Sequence, residues 1–174
     1  VFGNYTYQHT DLALPGRGLP FSFQRTYNSA QLHDGPLGYG WTHAYLLSLS
    51  PEPDTGILVR NEDGRLDRYT DNGDGTFSPP QGVFDSLSQN PDASFTLTRK
   101  DQTAFHFSPN GQLSQIAEPN GNAISFGYDG LGYLTVITDT VGRTLDLSYD
   151  GGNRLTGLTD PLGRTISYTY NLSG

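Results

Sequence analysis

The sequence predicts an all-β fold, an antiparallel meander of β-hairpin repeats with a 21-residue period and little or no helix. Three observations carry this. Four columns recur every 21 residues: Tyr128-Asp129, Tyr149-Asp150 and Tyr170-Asn171; Gly121, Gly142 and Gly163; Glu118, Asp139 and Asp160; and Leu113, Leu134 and Leu155. Within a unit, Leu145, Leu147 and Tyr149 alternate with Thr144, Asp146 and Ser148, which puts the apolar set on one face of a strand. Finally, 22 Gly and 11 Pro in 174 residues, with 11 Tyr, suit many short strands joined by tight turns.

Residues 1–85 do not follow the period and read as a β-rich N-terminal region. Phe21–Tyr27 alternates as a strand, preceded by the turn-rich Pro15–Pro20. A glycine-rich stretch runs from Gly35 to Trp41. Ala44–Leu49 and Gly56–Asn61 then read as strands, and Tyr69–Phe77 as strand, turn, strand. Ser78–Gly82 reads as a linker into the repeats at 86–174.

The repeats comprise a degenerate copy at 95–108, marked by Thr103, Phe105 and Phe107, and clearer copies at 109–129, 130–150 and 151–171. One strand of each unit is Thr144–Tyr149 or its equivalents around Ile124, Phe126, Tyr128 and Ile166, Tyr168, Tyr170. The other is Tyr133–Thr138 or Arg154–Thr159. Asp160-Pro161-Leu162-Gly163, with Asp139–Gly142 in the same columns, has the pattern of a type I turn. Asp129-Gly130-Leu131-Gly132 and Asp150-Gly151-Gly152-Asn153 form the second kind of turn, where Gly permits positive φ. One hairpin cannot bury its apolar face alone, so stacked hairpins must share a sheet that is covered or curled. The chain opens mid-pattern at Val1 and stops after a strand at Gly174. The expectation is an internal segment with an open edge, which pairs with further repeats or with an identical chain.

Charge and composition exclude several classes. The net charge is −8, and the nine Arg and one Lys are scattered, which argues against nucleic acid and anionic membranes as partners. There is no Cys, so disulfides, thiolate metal sites and Cys nucleophiles are absent. No apolar run approaches the length of a membrane span.

Candidate chemistry is sparse. Tyr128, Tyr149, Tyr168 and Tyr170 form a candidate aromatic stripe for stacking on sugars; the simpler reading is cross-strand packing. Asp129 and Asp150 read as turn carboxylates rather than a catalytic pair. Asp71-Asn72-Gly73-Asp74-Gly75 hints at calcium, but the third and twelfth positions of an EF-hand loop fall on Gly73 and Gly82. That leaves only a looser oxygen site. His9, His33, His43 and His106 are not at metal-ligand spacings, and His43 reads as a packed residue. Trp41, the only Trp, reads as a core anchor between the two halves. Arg143 and Arg164 share a column and read as partners of turn carboxylates. No Gly-x-Ser-x-Gly elbow occurs. No catalytic residue, cofactor or metal is expected, and the chain reads as a non-enzyme.

The units at Tyr128-Asp129, Asp139-x-x-Gly142-Arg143, Tyr149-Asp150 and Asp160-Pro161-x-Gly163-Arg164 resemble the tyrosine-aspartate repeats of the bacterial Rhs family, which teneurins and toxin-complex shells share. The stretches His9–Leu12, Pro15–Pro20, Arg25-Thr26-Tyr27-Asn28 and Gly38–His43 resemble the N-terminal region of Rhs cores. The resemblance implies a segment of a curved β-sheet shell, part of a secreted or surface protein of bacterial type. It also implies an enclosed C-terminal toxin domain. The family's self-cleavage motif is of the type Asp-Pro-x-Gly-Leu; here Arg164 follows Gly163, so Asp160-Pro161 reads as an ordinary turn. The resulting expectation is a structural scaffold segment. The alternative is a carbohydrate-binding or adhesive surface module, or a filament subunit, with a glycan as partner.

Overall fold

The computed structural model describes residues 3–31, 33–52 and 56–171, and among these every regular element is a strand. The N-terminal region supplies β1 (Thr6–Leu14), β2 (Phe21–Asn28), β3 (Asp34–Gly35), β4 (Gly38–Tyr39) and β5 (Trp41–His43). Next come β6 (Ser48–Glu52), β7 (Gly56–Arg60), β8 (Leu66–Asp71), β9 (Thr76–Ser78), β10 (Ser86–Gln89), β11 (Phe95–Thr98) and β12 (Ala104–Phe107). The clear repeats supply β13 (Leu113–Ala117), β14 (Ala123–Tyr128), β15 (Leu134–Thr138), β16 (Thr144–Tyr149), β17 (Leu155–Thr159) and β18 (Thr165–Ser167).

Strands β6 to β18 form one 13-stranded sheet in strict chain order, each antiparallel to its neighbours. Strands β1, β2 and β5 form a second sheet of three, and β3 and β4 pair by themselves. The meander therefore begins at Ser48, well before the first recognisable repeat, and the segment expected as a linker joins neighbours β9 and β10 within it. Alternation along each strand buries one face; Leu145 and Leu147 of β16 are buried while Asp146 is exposed. Phe23, Leu113, Ile137, Leu155 and Leu158 are all fully inaccessible.

Three expectations need correction. The alternating stretch Ala44–Leu49 is not one strand. The chain turns after His43, where Leu46 N–H donates to the His43 carbonyl (2.9 Å), and β6 starts only at Ser48. Tyr45, Leu47 and Leu49 are nonetheless buried, so the alternation there records burial in a crossing between sheets, without a ladder. The last repeat strand ends at Ser167, leaving Tyr168 and Tyr170 beyond it. Trp41 is half-buried at the margin of the core, in contact with Tyr27, Tyr7 and Arg25, and is not a deep anchor.

The two kinds of turn read from the sequence are one geometry. In the turns starting at Asp129, Asp139, Asp150 and Asp160, the residue three on donates to the first carbonyl (2.9–3.1 Å), and the first N–H donates to the carbonyl four on (2.9 Å). The fourth residue is left-handed: Gly132 at φ 89°, Gly142 at 84° and Gly163 at 79°. In the Asp150 turn that position is Asn153 at 65°, and neither Gly151 nor Gly152 has positive φ.

These four turn starts lie alternately 10 and 11 residues apart. The register shifts opposite Gly127/Tyr128, between β14 and β15, and opposite Ser148/Tyr149, between β16 and β17, leaving Thr135 and Thr156 as the extra residues of β-bulges, both on the strand in the shorter interval. The 21-residue period is thus one plain and one bulged strand.

The sheet curls until its first strand meets its own middle. Leu49 N–H donates to the Gly111 carbonyl (2.9 Å), and Ser48 bridges to Gln112. A Cβ at Gly111 would lie 2.0 Å from the Leu49 carbonyl oxygen, so only glycine permits this approach. The sheet does not close into a barrel, because β18 has no ladder partner on its outer side among the described residues.

Candidate functional site

The tyrosine column is built by the bulges. A bulge disrupts the ladder locally, and Tyr128 and Tyr149 each face one. The Tyr128 hydroxyl donates to the Leu113 carbonyl (2.8 Å), Tyr149 to Leu134 (2.8 Å) and Tyr170 to Leu155 (2.6 Å). Leu134 is the residue paired with Tyr128, and Leu155 the residue paired with Tyr149. Each hydroxyl therefore reaches back to the leucine that faces the preceding bulge. Burial raises the hydroxyls of Tyr128 and Tyr149 well above the ordinary phenol range, so both are fixed neutral donors.

Tyr149→Phe leaves the Leu134 carbonyl without this donor and is expected to cost about 1–2 kcal/mol. Thermal unfolding beside Tyr5→Phe, at a residue 63% exposed, checks it. Equal melting temperatures for the two variants would show that the bond contributes nothing.

The structure brings Tyr128 and Tyr149 together, keeps Tyr170 in their column through its bond to Leu155, and sets Tyr168 apart. Tyr128, Tyr133, Tyr149 and His43 line a cavity of about 140 Å3 between the N-terminal region and the repeats. Tyr170 also donates to the Pro36 carbonyl (3.2 Å), and its ring lies under Arg154. Tyr168 turns to the N-terminal sheet, where its hydroxyl donates to Asp11 Oδ2 (2.8 Å).

Asp11 is the centre of a clamp that periodicity could not show. Its side chain is 5% exposed and receives Arg25 Nε (2.5 Å), Arg25 Nη2 (2.8 Å) and the Tyr168 hydroxyl. The Arg25 guanidinium lies between two rings, 5.0 Å from Tyr168 and 5.2 Å from Trp41. Nearby, Arg154 Nη1 donates to Asp34 (2.6 Å) and to the Gly35 carbonyl (2.5 Å), while Leu155 N–H donates to the Pro36 carbonyl (2.8 Å). These contacts join residues more than 100 positions apart.

The turn carboxylates are spent locally. Asp139 Oδ1 accepts from the N–H groups of Val141 (3.0 Å) and Arg143 (2.8 Å), and Oδ2 accepts from Arg143 Nε (2.7 Å). Asp160 and Arg164 repeat this arrangement. Burial alone would raise the Asp139 carboxyl, but the bonds from Arg143 and Val141 outweigh it and hold the group below its usual value. Asp129 Oδ1 and Asp150 Oδ1 likewise each accept two backbone N–H groups.

In the Asp71–Gly75 loop, Asp71 caps Gly73 N–H, and Asp74 caps both Thr76 N–H and its hydroxyl. No group of three metal-ligating side chains occurs among the described residues. His43 is buried against Phe23 at 5.0 Å, with its Nδ1 accepting from Tyr45 N–H (3.3 Å).

Two family models match the chain. Residues 1–69 match a domain of unknown function (DUF6531), and residues 107–144 and 149–174 match the RHS Repeat. The tRNA3(Ser)-specific nuclease WapA of Bacillus spizizenii is 35% identical over 128 residues, 73% of this chain. The tRNA nuclease WapA of Bacillus subtilis strain 168 is similar to the same extent. The chain spans about 5% of the length of either relative. The repeat match falls on the bulged hairpins and the other on the region clamped against them, and the chain belongs to the Rhs repeat family.

Proposed function

We propose that the chain is a scaffold segment of a secreted or cell-surface Rhs-type protein, a stretch of β-shell wall that encloses a C-terminal toxin domain. The observation that carries this is the one-sided meander. Thirteen strands in chain order share one apolar face, and the chain's own N-terminal sheet covers part of it. Tyrosine hydroxyls and turn carboxylates are engaged within the wall, which supports a load-sharing role over a catalytic one. The relatives' nuclease names belong to polypeptides of which this segment is a small part. In this reading its partners are further strands of the same polypeptide and the enclosed domain, with neither nucleic acid nor membrane.

Limited proteolysis of the full-length polypeptide tests it. The domain that follows the repeats is expected to survive intact, and deletion of residues 48–171 to expose it to cleavage. Equal cleavage with and without those residues would refute enclosure.

A further inference from the structure

The N-terminal hairpin runs across the repeat strands, and its contacts advance in order. Near its turn, Gly18 lies against Glu118 and Asn122, between β13 and β14. Next, Arg143 between β15 and β16 donates to the Pro15 carbonyl (2.9 Å) and lies over Phe21. Then Asp11, Leu12 and Ala13 face Leu158 and Ile166 of β17 and β18 across a shared pocket. Arg25 and Asp11 meet Tyr168, just past β18.

The hairpin does not stop there. One row further on the same face, Tyr7 pairs with Tyr27 and Tyr27 with Trp41 across three strands. Their rings form one platform: Tyr27 to Trp41 5.4 Å, Tyr7 to Trp41 6.3 Å, with Tyr5 6.3 Å from Tyr27. This is the same face that buries Phe21 and Phe23, yet here Tyr7 is 46% and Tyr5 63% exposed. The aromatic shelf continues this row beyond its last contact, at Tyr168, and the outer side of β18 has no ladder partner among the described residues.

We propose that this shelf is the cover for the next β-hairpin of the same polypeptide, added in antiparallel register at the outer edge of β18. The inference rests on the scaffold reading and extends it to a named surface. Continuity with the existing interface supports it, because the shelf prolongs the row of contacts that covers β14 to β18. Its length fits. From His9 to Tyr5 the hairpin runs on for about 13 Å, against about 9–10 Å for two added strands. The relatives' length leaves ample chain for such a hairpin. A bare platform of this kind exposes apolar rings that an alternating strand face would bury.

Trp41 is the only tryptophan, so its fluorescence reports the shelf directly. One 21-residue unit with the sequence of residues 130–150 is fused in register after Asn171. Relative to the parent chain, Trp41 emission is expected to shift to shorter wavelength and acrylamide quenching to fall. Hydrogen exchange at the β18 amides is expected to slow at the same time. Tyr7→Ser should lower the melting temperature of the extended chain more than that of the parent.

Protected β18 amides with unchanged Trp41 quenching would overturn the shelf proposal while leaving the scaffold reading intact. Unprotected β18 amides would count against the scaffold reading itself. Two outcomes in the parent chain would reassign the shelf: protection of Trp41 by a soluble neutral glucan makes it a sugar platform, and concentration-dependent protection makes it a contact between copies.

Discussion

Asp11→Ala is expected to destabilise the chain by about 3 kcal/mol, the lower end for breaking a buried ion pair. The carboxylate is nearly inaccessible and receives three hydrogen bonds, two from Arg25 and one from Tyr168. Removing it leaves a guanidinium held between two rings with no counter-charge, and a phenol with no acceptor. Arg25 is 23% exposed and can be partly rehydrated, which is why the lower figure applies. Equilibrium unfolding in urea measures the loss. Asp11→Asn should recover part of it by accepting from Tyr168, and Asp11→Ala with Arg25→Leu should recover more by removing the stranded charge. A loss below about 1 kcal/mol would mean that solvent already screens the clamp.

The second large effect is a dependence on pH. His43 is fully buried beside Phe23, and burial pushes it down to about 4 from the ordinary 6.5. Below 6.5 the unfolded chain takes up a proton at this position, whereas the folded chain stays neutral until about 4. The unfolded state therefore binds more protons across that interval, and stability falls as pH drops through it. Above 6.5 the contribution is flat. The full loss amounts to about 3 kcal/mol, at about 1.4 kcal/mol per pH unit. Unfolding free energies at a series of pH values, compared with His43→Gln, isolate the effect. The variant should lose most of the slope between pH 6.5 and 4, and an unchanged slope would assign the sensitivity to other groups.

Much of the wall was legible in the sequence, because its physics is local. Alternation marks β14 to β17 nearly to the residue, and Asp and Gly at fixed offsets mark their turns. Ala44–Leu49 misled because alternation reports which side chains are buried, and that also happens where a chain crosses between sheets. The two turn kinds merged because Asn153, and not Gly151 or Gly152, takes the left-handed conformation. The tyrosines were visible as a column, but the bulge that gives their hydroxyls an acceptor is a matter of register between strands. The Asp11 clamp was out of reach. Its partners lie 14 and 157 positions away, and nothing in either neighbourhood points to the other.

The links between successive bulges all point one way. Tyr149 needs the Leu134 carbonyl, which belongs to the strand paired with Tyr128, and Tyr170 in turn needs Leu155. Each of these bonds closes within one copy, between its two strands, yet its acceptor is the leucine that faces the tyrosine of the copy before. A hairpin therefore carries its own polar seal, and the wall can lengthen one hairpin at a time without leaving the tyrosines of earlier copies unpartnered.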